Sequence, residues 1–208
     1  MTEMAEARTL PSATLAPWAE IVPDAGCTTV DNLLTRPDDG WRYEVVEGVL
    51  VRMAGSGEEA TNIAGIIFGV IFAYVRPQRL GRVTPADGVY KFPGAETGLL
   101  PDVGYYGAAL FARVVDKKRP IPFAPECAVE VASPEQTAAD MAAKAARYLG
   151  GGARLVWVVW PDARAVDVWR PGDIEHPSKT LRANATDQLD GEDVIPGFSH
   201  PVADIFDI

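Results

Sequence analysis

Cysteine and histidine are scarce, with two of each among 208 residues. Cys27 and Cys127 lie 100 positions apart, which gives neither a disulfide framework nor the close ligand spacing of a zinc site. A reducing, cytoplasmic setting is therefore expected. Cys127 sits in an apolar run and reads as a small buried hydrophobe. His176 and His200 fall in polar, proline-containing stretches and read as solvent-exposed. Long apolar runs are missing too: Ile63 to Val75 is shorter than the ~20 residues a bilayer crossing needs, and it contains two glycines. No basic segment followed by an apolar block opens the chain, so no secretory signal and no membrane partner are expected. Positive charge is short as well, 19 Lys and Arg against 29 Asp and Glu, for a net charge of −10. Non-specific wrapping of nucleic acid, which relies on many cationic contacts to phosphate, is disfavoured. A local basic groove, or a carboxylate cluster neutralised by bound cations, remains compatible with that balance.

Against these absences stands an ordinary globular composition, 48% hydrophobic and 23% charged, near the averages for folded domains. A chain of this length buries roughly 70% of the surface its unfolded form exposes, enough for a real core. Residues 1–17 show no periodicity and read as a mobile leader, leaving 18–208 as one domain.

Arg42 to Val46 and Val49 to Met53 are β-prone runs around Glu47-Gly48, the signature of a hairpin. Glu58 to Val75 carries Ile63, Ile66, Ile67, Val70, Ile71 and Tyr74 at spacings of three and four, which predicts a helix ended by Pro77. Val83 to Phe92 reads as an interrupted strand, and Leu99 to Tyr106 as another. Cys127 to Ala132 is a short apolar strand with one acid in it. Ser133-Pro134-Glu135-Gln136 has the marks of a helix start, with Ser133 as cap and Gln136 closing a capping box. That helix should stop at Gly150-Gly151-Gly152, followed by strands Leu155 to Trp160 and Ala165 to Arg170. Trp157, Trp160 and Trp169 read as strand packing. The stretch Cys127 to Trp160 has the length of a parallel crossover. The expected fold class is α/β, a mixed central sheet flanked by helices, with an N-terminal β-hairpin.

Asp102 follows Pro101 at the entry to an apolar strand, and Glu130 stands in the middle of another. Buried acids require a partner because desolvating their charge is costly. Placed on neighbouring strands, the two would offer oxygens to a hard divalent cation. The plain alternative is a buried acid paired with an arginine. Asp140 and Lys144 are four apart on the following helix and could be an ordinary surface pair. Met141, Ala145, Tyr148 and Leu149 form that helix's apolar stripe, and Lys144 lies at its edge, within reach of the strand ends.

Several short segments recur in a known order. They are Tyr43-Glu44-Val45-Val46-Glu47-Gly48, Gly81-Arg82-Val83, Pro101-Asp102-Val103 and Val129-Glu130-Val131-Ala132-Ser133-Pro134. Asp140 with Lys144 and Tyr148, then Trp157-Val158-Val159 and Pro196-Gly197-Phe198, complete the series. Together they make residues 41–206 resemble the Uma-two family, restriction-endonuclease-like proteins of the PD-(D/E)xK superfamily. The resemblance implies Asp102 as a metal-binding aspartate and Glu130 as the second acid. The superfamily's usual lysine two positions after that acid is absent, since position 132 is Ala. The family pattern puts Lys144 in its place from the adjacent helix. Glu44 would add a carboxylate, with Glu47 serving the turn. One departure is the histidine often found near the start of the first long helix, where this chain has Ala60, Thr61 and Asn62. The implied activity is a magnesium-dependent endodeoxyribonuclease acting on DNA, manganese serving as substitute; two cuts in a duplex would call for a homodimer. A catalytically inactive binding or regulatory module on the same fold, and a hydrolase of another phosphorylated substrate, are the competing expectations.

Overall fold

In a computed structural model, residues 19–22, 28–53 and 55–207 are described. Cys27 and the expected leader lie outside them. The strands are β1 (Ala19–Ile21), β2 (Arg42–Val46), β3 (Val49–Met53), β4 (Gly81–Pro85), β5 (Tyr90–Lys91), β6 (Gly98–Leu99) and β7 (Val103–Gly107). They continue as β8 (Cys127–Val131), β9 (Leu155–Trp160), β10 (Ala165–Trp169), β11 (Lys179–Arg182), β12 (Gln188–Asp190) and β13 (Ser199–Pro201). Two α-helices join them, α1 (Glu58–Gln78) and α2 (Ala138–Gly150). A six-stranded sheet runs β11-β10-β9-β8-β7-β4, and a five-stranded sheet runs β1-β3-β2-β6-β5. Among the named strands of the described residues, only β8 and β9 pair in parallel, linked through α2; the other strand pairings are antiparallel. The mixed sheet flanked by helices is as expected.

Strand periodicity explains the layering. Cys127, Val129 and Val131 of β8, with Leu155, Trp157 and Val159 of β9, share one face of the large sheet with α1 and the C-terminal segment. On the opposite face, Ala128 and Ala132 flank Glu130, and Val156 and Val158 come from β9. That face is covered by Met141, Ala145, Tyr148 and Leu149 of α2 and by Val46, Val51 and Leu99 of the smaller sheet. Large side chains buried this way stabilise by roughly 1.5–3 kcal/mol each. Glu130 thus takes an apolar residue's position in the pattern, facing α2.

The hairpin β2–β3 turns through Glu47 (φ 51°) and Gly48 (φ 80°), both left-handed, the geometry that matches strand twist. Glu47 donates its N–H to Thr97 Oγ1 and serves the turn. Three expectations need correction. The runs Val83–Phe92 and Leu99–Tyr106 are each divided between two sheets: β4 and β7 belong to the large one, β5 and β6 to the small one. A turn at Pro85 to Gly88 breaks the first, and Pro101, which cannot donate to a ladder, breaks the second. Asp102 therefore lies on the crossing between sheets. The α2 cap is Thr137, not Ser133. Thr137 Oγ1 accepts from the Asp140 N–H while Asp140 Oδ2 accepts from the Thr137 N–H, a full capping box. Ser133 and Gln136 form a preceding turn, closed by the Ser133 N–H on Gln136 Oε1. Finally, α1 runs to Gln78, with Pro77 inside its last turn and Arg79 as a left-handed cap. Its 21 residues are long and apolar enough to cross a membrane by length and composition. Here Ile63, Ile67, Ile71 and Val75 are buried against the large sheet.

His176 is exposed as expected, whereas His200 on β13 is half-buried, because β12 pairs alongside it. The capping box yields a prediction. Thr137→Ala should lower stability by about 1 kcal/mol, read as a fall in Tm, since it frees N–H groups at the start of the helix that carries Lys144.

Candidate active site

Four ionisable side chains converge where the sheets meet: Glu44 from β2, Asp102 from the β6–β7 crossing, Glu130 from β8 and Lys144 from α2. Each is placed by a local necessity. Beyond Leu99 the chain leaves the small sheet, and the Leu100 N–H is satisfied by Glu44 Oε1 at 3.0 Å instead of by a strand. The β7–β8 ladder ends at Val103 opposite Val129, so the Val131 N–H has no strand partner there. Asp102 Oδ2 accepts it at 2.8 Å.

Glu130 is held at both oxygens. Lys144 Nζ donates to Oε2 at 2.7 Å, and the Tyr148 hydroxyl donates to Oε1 at 2.6 Å. Lys144 Nζ also stands 3.9 Å from Glu44 Oε1. Glu44, Glu130 and Lys144 are all buried, while Asp102 is half-buried and lines an open pocket. The partner of the buried glutamate is a lysine, not the arginine of the plain alternative. Asp140 serves the helix cap, so the surface pair with Lys144 is not formed. A lysine at 132 would have lain on the face occupied by Glu130; Lys144 delivers its charge to that face from the helix above.

Three carboxylates surround one ammonium, and the ionisation equilibria show the imbalance. Burial pushes the Glu130 carboxyl up to about 7; Lys144 opposes this, and Asp102 and Glu44 add to it. Burial likewise raises Asp102 above the usual carboxylate range, against the pull of Lys144 and the Val131 N–H. Burial alone would depress the Lys144 ammonium, yet Glu130, Glu44 and Asp102 together hold it above the usual lysine range, so it stays charged. Tyr148 is driven well up by burial and remains a hydroxyl donor.

The pocket above these groups encloses about 70 Å³ and is bordered by Arg42, Ser56, Asp102, Ser133, Gln136 and Lys144, among others. That is room for a few waters. Arg42 is fixed at its edge by donating from Nη2 to the Ala86 carbonyl at 2.6 Å. Among the described residues, no three side chains of His, Cys, Asp and Glu converge as a metal cluster. A magnesium ion needs no such cage, since it keeps waters and takes one or two carboxylates. The oxygens of Asp102 and Glu130 fit that donor chemistry.

Sequence reasoning placed Tyr148 in the apolar stripe and did not single out Arg42. The stripe assignment was right for the ring, which is fully buried. The signal overlooked was the hydroxyl, because a buried tyrosine must find a polar partner. It lies four residues after Lys144, on the same helix face.

A carboxyl raised from an ordinary value near 4.5 to about 7 binds more protons in the folded chain than in the unfolded one between those pH values. Stability should therefore fall as pH rises through that window. In metal-free protein, Glu130→Gln should flatten this slope in Tm measured from pH 4.5 to 7. An equal slope in both proteins would remove Glu130 as its source.

Comparison with known proteins adds two findings. A solved structure described as a "putative nuclease belonging to DUF820 from Anabaena variabilis ATCC 29413" aligns with a TM-score of 0.69 at 20% identity. The alignment covers 86% of this chain and 97% of that one, which establishes the shared fold. No curated protein matches. The model of the Uma2 family, described as "Putative restriction endonuclease", matches residues 30–203. The chain with this four-residue centre belongs to that nuclease-like family.

Proposed function

We propose that this protein is a metal-dependent endonuclease that hydrolyses phosphodiester bonds in DNA, with Mg²⁺, or Mn²⁺ in its place, held by Asp102 and Glu130. The observation that carries this reading is the excess of carboxylate. Glu44, Asp102 and Glu130 surround a single ammonium beside an open pocket, and a cation offsets that excess. When bound, a divalent ion would supply Lewis acidity and lower the pKa of a coordinated water.

The chain's own residues have separable roles. Glu44 fixes the strand crossing that carries Asp102 and adds negative charge behind Lys144. Tyr148 orients the Glu130 carboxylate through Oε1. Lys144 is a permanent positive charge positioned to hold a non-bridging phosphate oxygen, or the attacking water, as negative charge develops. Arg42 stands where a second phosphate oxygen could be met. A homodimer would bring two such centres together.

One observation favours a second reading, a non-catalytic module on the same fold. Both Glu130 oxygens are already engaged by Lys144 and Tyr148, as they would be in a purely structural ion pair.

Two experiments separate these readings. Calorimetric titration with Mn²⁺ should show binding that is lost in Asp102→Ala and in Glu130→Gln; undiminished binding in both would sink the metal assignment. In single-turnover cleavage of DNA at saturating metal, Lys144→Met should be slower by roughly 10²-fold or more, with circular dichroism confirming the fold. Cleavage as fast as wild type would make Lys144 merely structural, and no cleavage by wild type of any DNA substrate would favour the inert module.

A further inference from the structure

The chain's 29 acids outnumber its 19 bases, and most of its arginines toward the C-terminus are matched to carboxylates. Arg154 meets Glu126 and Asp193, Arg164 meets Asp207, and Arg170 meets Glu192. Three arginines at one place break this pattern. Arg76 and Arg79 at the end of α1 and Arg82 on β4 are exposed, and among the described residues none has an acid within salt-bridge distance. They border a concavity of about 420 Å³ together with Phe72 and Phe111. The Arg76 guanidinium lies 5.3 Å from the Phe72 ring centre and that of Arg82 lies 4.7 Å from Phe111. Stacking of this kind holds the guanidinium plane while leaving its N–H edge available to an anion.

This concavity adjoins a second one. Phe72 stacks on Phe68, with ring centres 5.5 Å apart and planes 21° from parallel. Phe68 lines a furrow of about 280 Å³ that runs between α1 and Pro85-Ala86 to Asp102 and Arg42. Arg42, Ser56 and Asp102 border both this furrow and the candidate catalytic pocket. Gly65 on the α1 wall leaves open space where a side chain would be. From Ala60 to Arg76 the helix spans about 24 Å, room for roughly seven nucleotides at a stacked spacing near 3.4 Å.

We infer that the furrow between α1 and β4 binds the nucleic-acid strand flanking the scissile phosphate, as a single strand. Its bases meet Phe68 and Phe72, and its phosphates meet Arg76, Arg79 and Arg82. This rests on the nuclease reading for its placement, and it names the form of substrate that reading leaves open. Aromatic faces joined to an unpaired cationic rim are the two components of sequence-tolerant single-strand binding. The acidic remainder of the surface explains why the contact would be confined to one track.

Fluorescence anisotropy in EDTA, which prevents metal-dependent cleavage, tests this with labelled DNA and RNA single strands longer than the furrow, a duplex, and a dinucleotide. Wild type should bind the long single strands much more tightly than the dinucleotide. Arg79→Gln/Arg82→Gln should weaken long-strand binding at least ~10-fold and reduce the slope of log K against log salt by about 1.4, the value for two lost phosphate contacts. Phe72→Leu should weaken it several-fold with the salt slope unchanged. Both variants should keep the wild-type rate on a small chromogenic phosphodiester, which reaches only the catalytic pocket. Long-strand affinity and salt slope unchanged in the arginine variant would overturn the inference, while DNA cleavage by the same preparation would leave the nuclease reading standing. Arginine-dependent strand binding without any cleavage would sustain the track and defeat the nuclease. If the arginine variant instead dissociates a dimer in sedimentation and binds strands normally, the face is a subunit interface and the inference fails.

Discussion

The contact on which the rest depends is the buried pair of Glu130 and Lys144. A charged carboxylate in the middle of a core strand is destabilising by several kcal/mol unless it is matched. Here the match comes from a different element, across the interior, at 2.7 Å. That requirement fixes how α2 lies on the sheet. Met141, Ala145 and Leu149 supply the apolar contact, Lys144 must end at Glu130 Oε2, and Tyr148 must end at Oε1. The capping box at Thr137 and Asp140 starts the helix at the point that makes this possible.

A single lysine does not balance the centre, since three carboxylates act on one ammonium. Glu44 and Asp102 are also drawn in, each by a backbone N–H that the strand crossing leaves without a ladder partner. The same break between β6 and β7 therefore places both additional acids. Replacing the whole group with apolar residues would be expected to raise stability, which under the nuclease reading is a cost tolerated for function.

Much of this was legible in the sequence. The nearly continuous apolar run of β8 exposed Glu130 as the odd residue, and the apolar run of β9 marked the centre of the sheet. Lys144 stood at the edge of its helical stripe, and the family resemblance implied a role for it. The misreadings have a common origin, since local patterns do not state which sheet a strand joins. Val83–Phe92 and Leu99–Tyr106 look continuous because both halves are β-prone, and only tertiary pairing divides them. Ser133 and Thr137 both offer cap chemistry, and the local pattern alone does not say which one starts the helix. The arginine–aromatic furrow was invisible for a different reason: its residues come from α1, β4 and the short 3-10 helix Ala108–Arg113 bearing Phe111, and net charge conceals a local patch of opposite sign.

Diffraction from crystals soaked in Mn²⁺, recorded at a wavelength where manganese scatters anomalously, tests the central claim most directly. The account predicts one anomalous peak per chain in the pocket, about 2.0–2.2 Å from oxygens of both Asp102 and Glu130, with Lys144 still beside Glu130. An empty pocket at millimolar Mn²⁺, with Glu130 bonded only to Lys144 and Tyr148, would contradict it.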